Sequence, residues 1–273
     1  MTQKILLTGA SSGIGENIAL TLANNDYEVL ATVRKKEDKE RLENLNSNIK
    51  VYFADLTKED DIKNLRKEIE KEHSQIDGII NNAGLAYTAI LECAQIDELK
   101  SQFEINTFAP LVVIREFLPI MPKGKIINMS SVSSNVVYPF ISPYCASKKS
   151  LDIFFQALEL ELDNPDIKII SIKPAVVKTP IWEKSYKSAF ERFEKLPANI
   201  IEKYKSRLEK LLKKAENCIK FGLEAQDISN LVLKILNSKN PKHSYCIGFS
   251  SHFGAIINKL PISWQIKISK ALN

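Results

Sequence analysis

Apolar residues along this chain fall into two recurring patterns. Short β-rich runs, almost continuously apolar, occupy 4–8, 28–32, 50–55, 77–81, 125–130, 168–174 and 244–248. Strands covered on both faces read this way, because neither face turns to water. Between the runs the spacing changes to three and four: Ile14, Ile18, Ala19 and Leu22; then Ile62, Leu65 and Ile69; then Leu151, Phe154, Phe155, Leu158 and Leu162. That spacing marks one face of a helix. Strand and helix in alternation predict an α/β fold, a doubly wound parallel sheet of about seven strands with helices on both faces. Such sheets bind ligands beyond the carboxyl ends of their strands, beside the point where strand order reverses.

One stretch breaks the rhythm. Residues 181–222 contain no strand pattern, while Ile200, Ile201, Tyr204, Leu208, Leu211 and Leu212 share a helical face with Lys and Glu opposite. A helical insertion, serving as a lid, is expected there rather than a long structureless loop. No repeat or low-complexity linker divides the chain, so residues 1–273 are expected to form one domain, ending in a basic, apolar tail at 249–273. In that tail Ile262, Trp264, Ile266 and Ile268 alternate, yet Pro261 could equally open a helix.

Charge and cysteine usage narrow the function classes. No apolar run approaches the roughly 20 residues that cross a bilayer, and no charged-then-apolar leader follows Met1, so a cytoplasmic protein is expected. Cys93, Cys145, Cys218 and Cys246 have no paired spacing, and His73, His243 and His252 do not cluster with them. Free thiols and no metal site are therefore expected. The net charge of +5 is uneven: beyond Asp227 there are lysines but no Asp or Glu. A solvated surface is the first reading and contact of the basic tail with a membrane surface the lesser one. Basic residues are not interleaved with aromatics as nucleic-acid binding would ask.

Two motifs carry chemistry. Thr8-Gly9-Ala10-Ser11-Ser12-Gly13-Ile14-Gly15 leaves the first strand and enters the first helix. There glycines allow close approach to a pyrophosphate, and the helix start offers free N–H groups and partial positive charge. Tyr144 and Lys148 lie four residues apart, on one face if the segment is helical. A cation beside a phenol favours the phenolate and draws its pKa toward neutrality.

With Asn82-Ala83-Gly84 after the fourth strand, Asn106, and Ser130-Ser131 after the fifth, the chain resembles the short-chain dehydrogenases/reductases, in their single-domain branch, and loosely their steroid- and retinoid-type members. The resemblance implies a Rossmann-type oxidoreductase, with a homo-oligomer of two or four chains expected. It implies that Ser131, or its neighbour Ser130, polarises a substrate carbonyl, that Tyr144 exchanges the proton, and that Lys148 depresses the Tyr144 pKa and binds the nicotinamide ribose. Asn106 would hold a water that links Lys148 to solvent; a helix-start cap is its alternative role. Gly9, Ser11, Ser12, Gly13, Ile14 and Gly15 would cradle phosphates. Asp55 would meet adenine, with Asn82, Ala83 and Gly84 beneath the ribose, and Pro174, Val177 and Thr179 would receive the carboxamide and pyrophosphate. Ala175 stands where the family usually has Gly.

The second strand ends Thr32-Val33-Arg34-Lys35-Lys36. A carboxylate there would accept from the 2′-hydroxyl of NAD; here Val33 takes its place, and Arg34 suits the 2′-phosphate of NADP. Alternatively, the three cations simply begin a solvated helix. NADP is expected over NAD. Val136, Val137, Tyr138 and Phe140 and the lid carry few charges, which suits an apolar carbonyl or alcohol: a lipid, sterol, retinoid or aromatic compound. The alternatives are an NAD-dependent alcohol dehydrogenase, or a regulator that binds NADPH without turnover, though such a sensor needs no proton relay.

Overall fold

The computed structural model describes residues 2–272; the side chains at 183, 184, 187, 211, 214–219 and 272, which include Leu211 and Cys218, lie outside the description. Seven strands form: β1 (Lys4–Leu7), β2 (Glu28–Val33), β3 (Ile49–Phe53), β4 (Gly78–Asn81), β5 (Gly124–Met129), β6 (Ile167–Pro174) and β7 (Ser244–Ile247). They pair in the order β3-β2-β1-β4-β5-β6-β7, every pair parallel. Each expected strand is present, with ends within two residues of the sequence reading. Order reverses between β1 and β4, whose carboxyl ends open the crevice where a ligand is expected.

Alternation along the strands divides the core between the two faces. Ile5 and Leu7 of β1 face one cluster, completed by Ile18 and Leu22 of α1 (Gly13–Ala23) and by residues of α9 (Ala225–Asn237). α2 (Lys36–Glu43) adds Leu42 to that side. Leu6 faces the other cluster, where Ile62, Leu65 and Ile69 of α3 (Glu59–Glu72) meet Val113 and Phe117 of α5 (Ala109–Phe117). α4 (Ile96–Phe103) precedes α5 through a π-helical turn at Glu104–Phe108. α6 (Ser142–Glu161) adds Leu151 and Phe155. Phe154, expected on that inner face, is instead 41% exposed. A helix turns 100° per residue, and the phase of α6 gives Phe155 rather than Phe154 to the core.

Residues 181–222 fold as two helices, α7 (Pro180–Phe193) and α8 (Ala198–Lys220), so the insertion is helical. The tail forms α10 (Phe249–Ile257) and α11 (Ile262–Leu272), with Pro261 opening the second. Cys93, Cys145 and Cys246 are free thiols. Among the described residues no helix is long and apolar enough to cross a membrane. Truncating the fully buried Phe155 to Ala is expected to lower unfolding free energy by about 3–5 kcal/mol, and Phe154→Ala by about 1 kcal/mol or less, read from urea unfolding. Equal losses would mean that the helix is rotated from this placement.

Candidate active site

Polar contacts stitch the two strand ends that flank the crevice. Thr8 Oγ1 accepts from the N–H groups of Asn82 (3.0 Å) and Ala83 (3.1 Å), and Asn82 Nδ2 donates to the carbonyls of Thr8 and Gly9, both at 3.0 Å. The glycine loop is closed so tightly that a Cβ on Gly15 would lie 2.1 Å from the Gly9 carbonyl oxygen. Gly9 sits at φ +69°, and its Cβ would meet Ala83 Cα at 2.7 Å. Ser12, the residue before α1, makes no side-chain cap bond, which leaves the first-turn amides of this helix turned toward the crevice. Thr179, at the start of α7, reaches the same loop: its Cγ2 would lie 3.2 Å from a Cβ on Gly13.

This cradle fits a dinucleotide phosphate. The one acid in the first turn of α1, Glu16, is bound by Arg41 at 2.7 Å, and Arg41 also donates to the Ser11 carbonyl at 2.6 Å. Arg41 escaped the sequence reading because it sits in a charged helix with nothing to distinguish it from its neighbours. At the end of β2, Val33 is buried and Arg34 exposed, while α2 begins at Lys36. Asp55 Oδ1 accepts from both the N–H and hydroxyl of Thr57 (3.1 and 2.7 Å), which holds its carboxyl below the usual range. One edge of Asp55 is thus committed locally. Ala175 does not take positive φ, so the absence of glycine there strains nothing.

The segment with Tyr144 and Lys148 is helical, and both side chains are buried. Lys148 Nζ donates to the Met129 carbonyl at 2.7 Å and stands 5.9 Å from the centre of the Tyr144 ring. Ser131 is the serine that hydrogen-bonds Tyr144, and its Oγ also accepts from the Ser133 N–H at 3.1 Å. Ser130 Oγ is buried without a partner. Asn106 lies in the π-helical turn, not at a helix start. Its Nδ2 donates to the Leu85 carbonyl (2.9 Å) and Ser147 Oγ (3.0 Å), and its Oδ1 accepts from the Leu85 N–H (2.9 Å). Both amide protons are therefore committed, so on the side chain a water could use only the remaining lone pair of Oδ1. Gly84 brings these groups together: a Cβ there would lie 3.0 Å from Asn106 Oδ1 and 3.5 Å from Lys148 Nζ.

Electrostatics differ from the simple expectation of a lysine lowering a tyrosine. Burial pushes Tyr144 up to about 12, partly countered by the Ser131 hydrogen bond. Burial pushes Lys148 down to about 8, with Asp152, one turn along the helix, working the other way. At neutral pH this site pairs a protonated phenol with an ammonium. Asp152 is itself buried and bridges Lys173 at 2.8 Å.

Helix α7, the first of the insertion expected to serve as a lid, packs against the phenol. Trp182 meets the Tyr144 ring edge-on at 5.7 Å and stacks on Tyr186 at 6.0 Å. Ser185 Oγ donates to the Ala86 carbonyl at 2.5 Å, and Arg192 donates to the Thr88 carbonyl at 3.0 Å with its guanidinium over Tyr87. Beneath α7 and α8 is a cavity of about 390 Å³, lined among others by Tyr87, Phe140, Tyr186, Phe190, Phe193 and Leu208. Of the residues expected on the pocket wall, Phe140 lines this cavity, while Val136, Val137 and Tyr138 line a neighbouring cleft, Val136 also meeting Gly254 of α10.

The family description "short chain dehydrogenase" matches residues 3–189. The chain belongs to the short-chain dehydrogenases/reductases. These are oxidoreductases that work with nicotinamide cofactors. It is 32% identical over 259 residues to the uncharacterized oxidoreductase YusZ of Bacillus subtilis (strain 168), covering 91% of this chain and 90% of the relative. It is 28% identical to the NADPH-dependent 3-dehydrocapnine reductase of Ornithobacterium rhinotracheale, covering 89% and 87%. A crystal structure of a short-chain dehydrogenase from Streptomyces avermitilis superposes with a TM-score of 0.80 at 20% identity, covering 100% of this chain and 99% of that one.

The buried ammonium of this short-chain dehydrogenase/reductase makes a stability prediction. Lys148 titrates near 8 when folded against an ordinary value of 10.5, so between those values the unfolded chain binds more protons. Stability therefore rises with pH across that window and is lower, by a constant amount, below it. Relative to Lys148→Met, the wild-type chain is expected to gain about 2 kcal/mol between pH 8 and 10, measured by urea unfolding at fixed salt. A difference that stays flat would remove the claim.

Proposed function

We propose that the chain transfers a hydride between NADP(H) and the carbonyl or secondary alcohol of an apolar substrate, with Asn106, Ser131, Tyr144 and Lys148 as its catalytic set. The observation that carries this reading is the burial of Tyr144 between Ser131 and Lys148 under an aromatic lid. When bound, the cofactor supplies the hydride, for which the chain has no group of its own. Ser131 donates to the substrate oxygen and holds it beside Tyr144. Tyr144, protonated at neutral pH, gives its proton to that oxygen as negative charge develops. Lys148, fixed by the Met129 carbonyl, stabilises the phenolate left behind. Asn106 ties Leu85 to Ser147 and so fixes the wall against which Lys148 lies.

The glycine loop, with Ser11, Ser12, Gly13, Ile14 and Gly15, would hold the pyrophosphate together with Thr179. Asp55, Asn82, Ala83, Gly84, Pro174 and Val177 would line the remaining path of the cofactor. NADP over NAD is supported by Arg34 and by the absence of a carboxylate at Val33, and by the NADPH dependence in the name of one relative. An apolar substrate is supported by the aromatic lining of the cavity beneath the lid. Self-association, also proposed, has a candidate face in Ile153 and Phe154, which α6 leaves exposed.

Tyr144→Phe is expected to lower kcat for ketone reduction by about 10²–10⁴-fold while NADPH affinity, read by fluorescence titration, stays near wild type. Activity within tenfold of wild type would remove Tyr144 from its role. Arg34→Ala and Val33→Asp are each expected to move the NADP/NAD ratio of kcat/KM toward NAD by about tenfold or more, as loss of a charge-assisted contact implies. An unchanged ratio in both would overturn the second-strand reading.

A further inference from the structure

A second, larger opening lies outside the site described above. It is a cleft of about 1250 Å³ between α8, the segment 133–142 and α11; like the cavity beneath the lid it includes none of the proposed catalytic or cofactor residues, though Val136, Val137, Tyr138 and Phe140, expected on the substrate-pocket wall, line it. Its walls combine two chemistries. Leu91, Val137, Ile262 and Ile266 line it, and each is at least half exposed. Large apolar side chains gathered open to water around one concavity mark a binding surface. Lys149 of α6, Arg207 and Lys210 of α8, and Lys270 of α11 line the same cleft, and among the described residues none of these four cations forms a salt bridge. The carboxylate on these walls, Glu92, is already held by Lys203, with both oxygens 2.9 Å from its Nζ. The field in the cleft is therefore positive and its floor greasy.

We propose that this cleft binds an anionic amphiphile, its alkyl chain against Leu91, Val137, Ile262 and Ile266 and its acid group toward Lys149, Arg207, Lys210 and Lys270. A ligand without an apolar body would leave the four hydrophobic side chains wet, and a neutral lipid would leave the four cations without a partner. A second copy docking by the same face would set these cations against their own equivalents, and no Asp or Glu follows Asp227 to receive them. The cleft also has an apolar continuation. Ile90 and Phe140 border both it and the cavity beneath the lid. Phe140 is held at φ +66°, a conformation rare for an aromatic residue, with its carbonyl accepting from the Ala89 N–H at 2.7 Å and its ring edge-on to Tyr204 at 6.1 Å. The inference concerns binding and stands independently of the reductase reading.

Isothermal titration of the full chain with decyl phosphate and with decanol, below micelle-forming concentrations, tests it. Decyl phosphate is expected to bind saturably, and about tenfold or more tighter than decanol. Arg207→Gln/Lys210→Gln should remove most of that preference and leave decanol binding unchanged, while Ile262→Ser/Ile266→Ser should weaken both ligands. All four positions are exposed; Lys149→Gln/Lys270→Gln, on the other walls, provides an independent charge variant. Equal affinity for the two ligands, no saturation by either, or full affinity in both charge variants would overturn the proposal. Sedimentation with phosphatidylcholine/phosphatidylglycerol vesicles without preferential binding of decyl phosphate would also overturn it, assigning the face to bilayer docking.

Discussion

The hydrogen bonds between Thr8 and the Asn82–Ala83 backbone are the constraint on which the rest of the site depends. β1 and β4 are neighbours in the sheet, but the chain leaves them in opposite directions, and past the Leu7–Ile80 pair one backbone bond, from the Thr8 N–H to the Ile80 carbonyl at 3.0 Å, continues their ladder. Thr8 and Asn82 extend the pairing by side chains. That fixes the glycine loop on one side of the crevice and Gly84 on the other. Gly84 in turn abuts Asn106 and Lys148, and Lys148 is bound to the last residue of β5. From the glycine loop to Tyr144 and Lys148, positions are set by the ends of three adjacent strands, which are rigid because both faces of the sheet are packed.

Such rigidity allows an unfavourable electrostatic arrangement to persist. A buried ammonium and a buried phenol each resist ionisation. The protein meets the first with one carbonyl hydrogen bond and the Asp152 carboxylate, and leaves the second protonated. A free lysine beside a free tyrosine would relax apart or draw in water. Here the helix of α6 fixes their spacing, and Asp152 is held by Lys173 from β6, so the ammonium stays near the ring. The result is a donor at rest, rather than the preformed phenolate that proximity to lysine alone would suggest.

Much of this architecture was legible in the sequence, for identifiable reasons. A strand buried on both faces is apolar nearly throughout, so the central strands showed as nearly continuous runs, and the glycine loop showed because backbone closure at Gly15 excludes any side chain. The Tyr144–Lys148 pair showed because helical spacing is local. What was not legible depends on contacts distant in sequence. Trp182 comes to Tyr144 only when the insertion folds back; Asp152 matters only because β6 supplies Lys173; Arg41 finds Ser11 and Glu16 across a strand. The π-helical turn at Asn106 and the outward face of Phe154 were missed for another reason: both depend on helix phase, which a short apolar run leaves ambiguous.

Chemistry and selection consequently rest on different parts of the molecule. The proton transfer proposed above would be built from strand ends and the first turns of α6, where an ångström of drift would separate Ser131 from Tyr144. The walls around the lid cavity come largely from α7 and α8, joined to the segment after β4 through Ser185–Ala86, Arg192–Thr88 and Lys203–Glu92 contacts rather than through the main core clusters. The Lys203–Glu92 pair is exposed and individually weak, while the Ser185–Ala86 bond is buried. Trp182 links the two parts: its edge is against the phenol and its face against Tyr186, which lines the cavity. The indole thus borders both the phenol and the wall of the cavity, so a change at Trp182 would be felt by both parts.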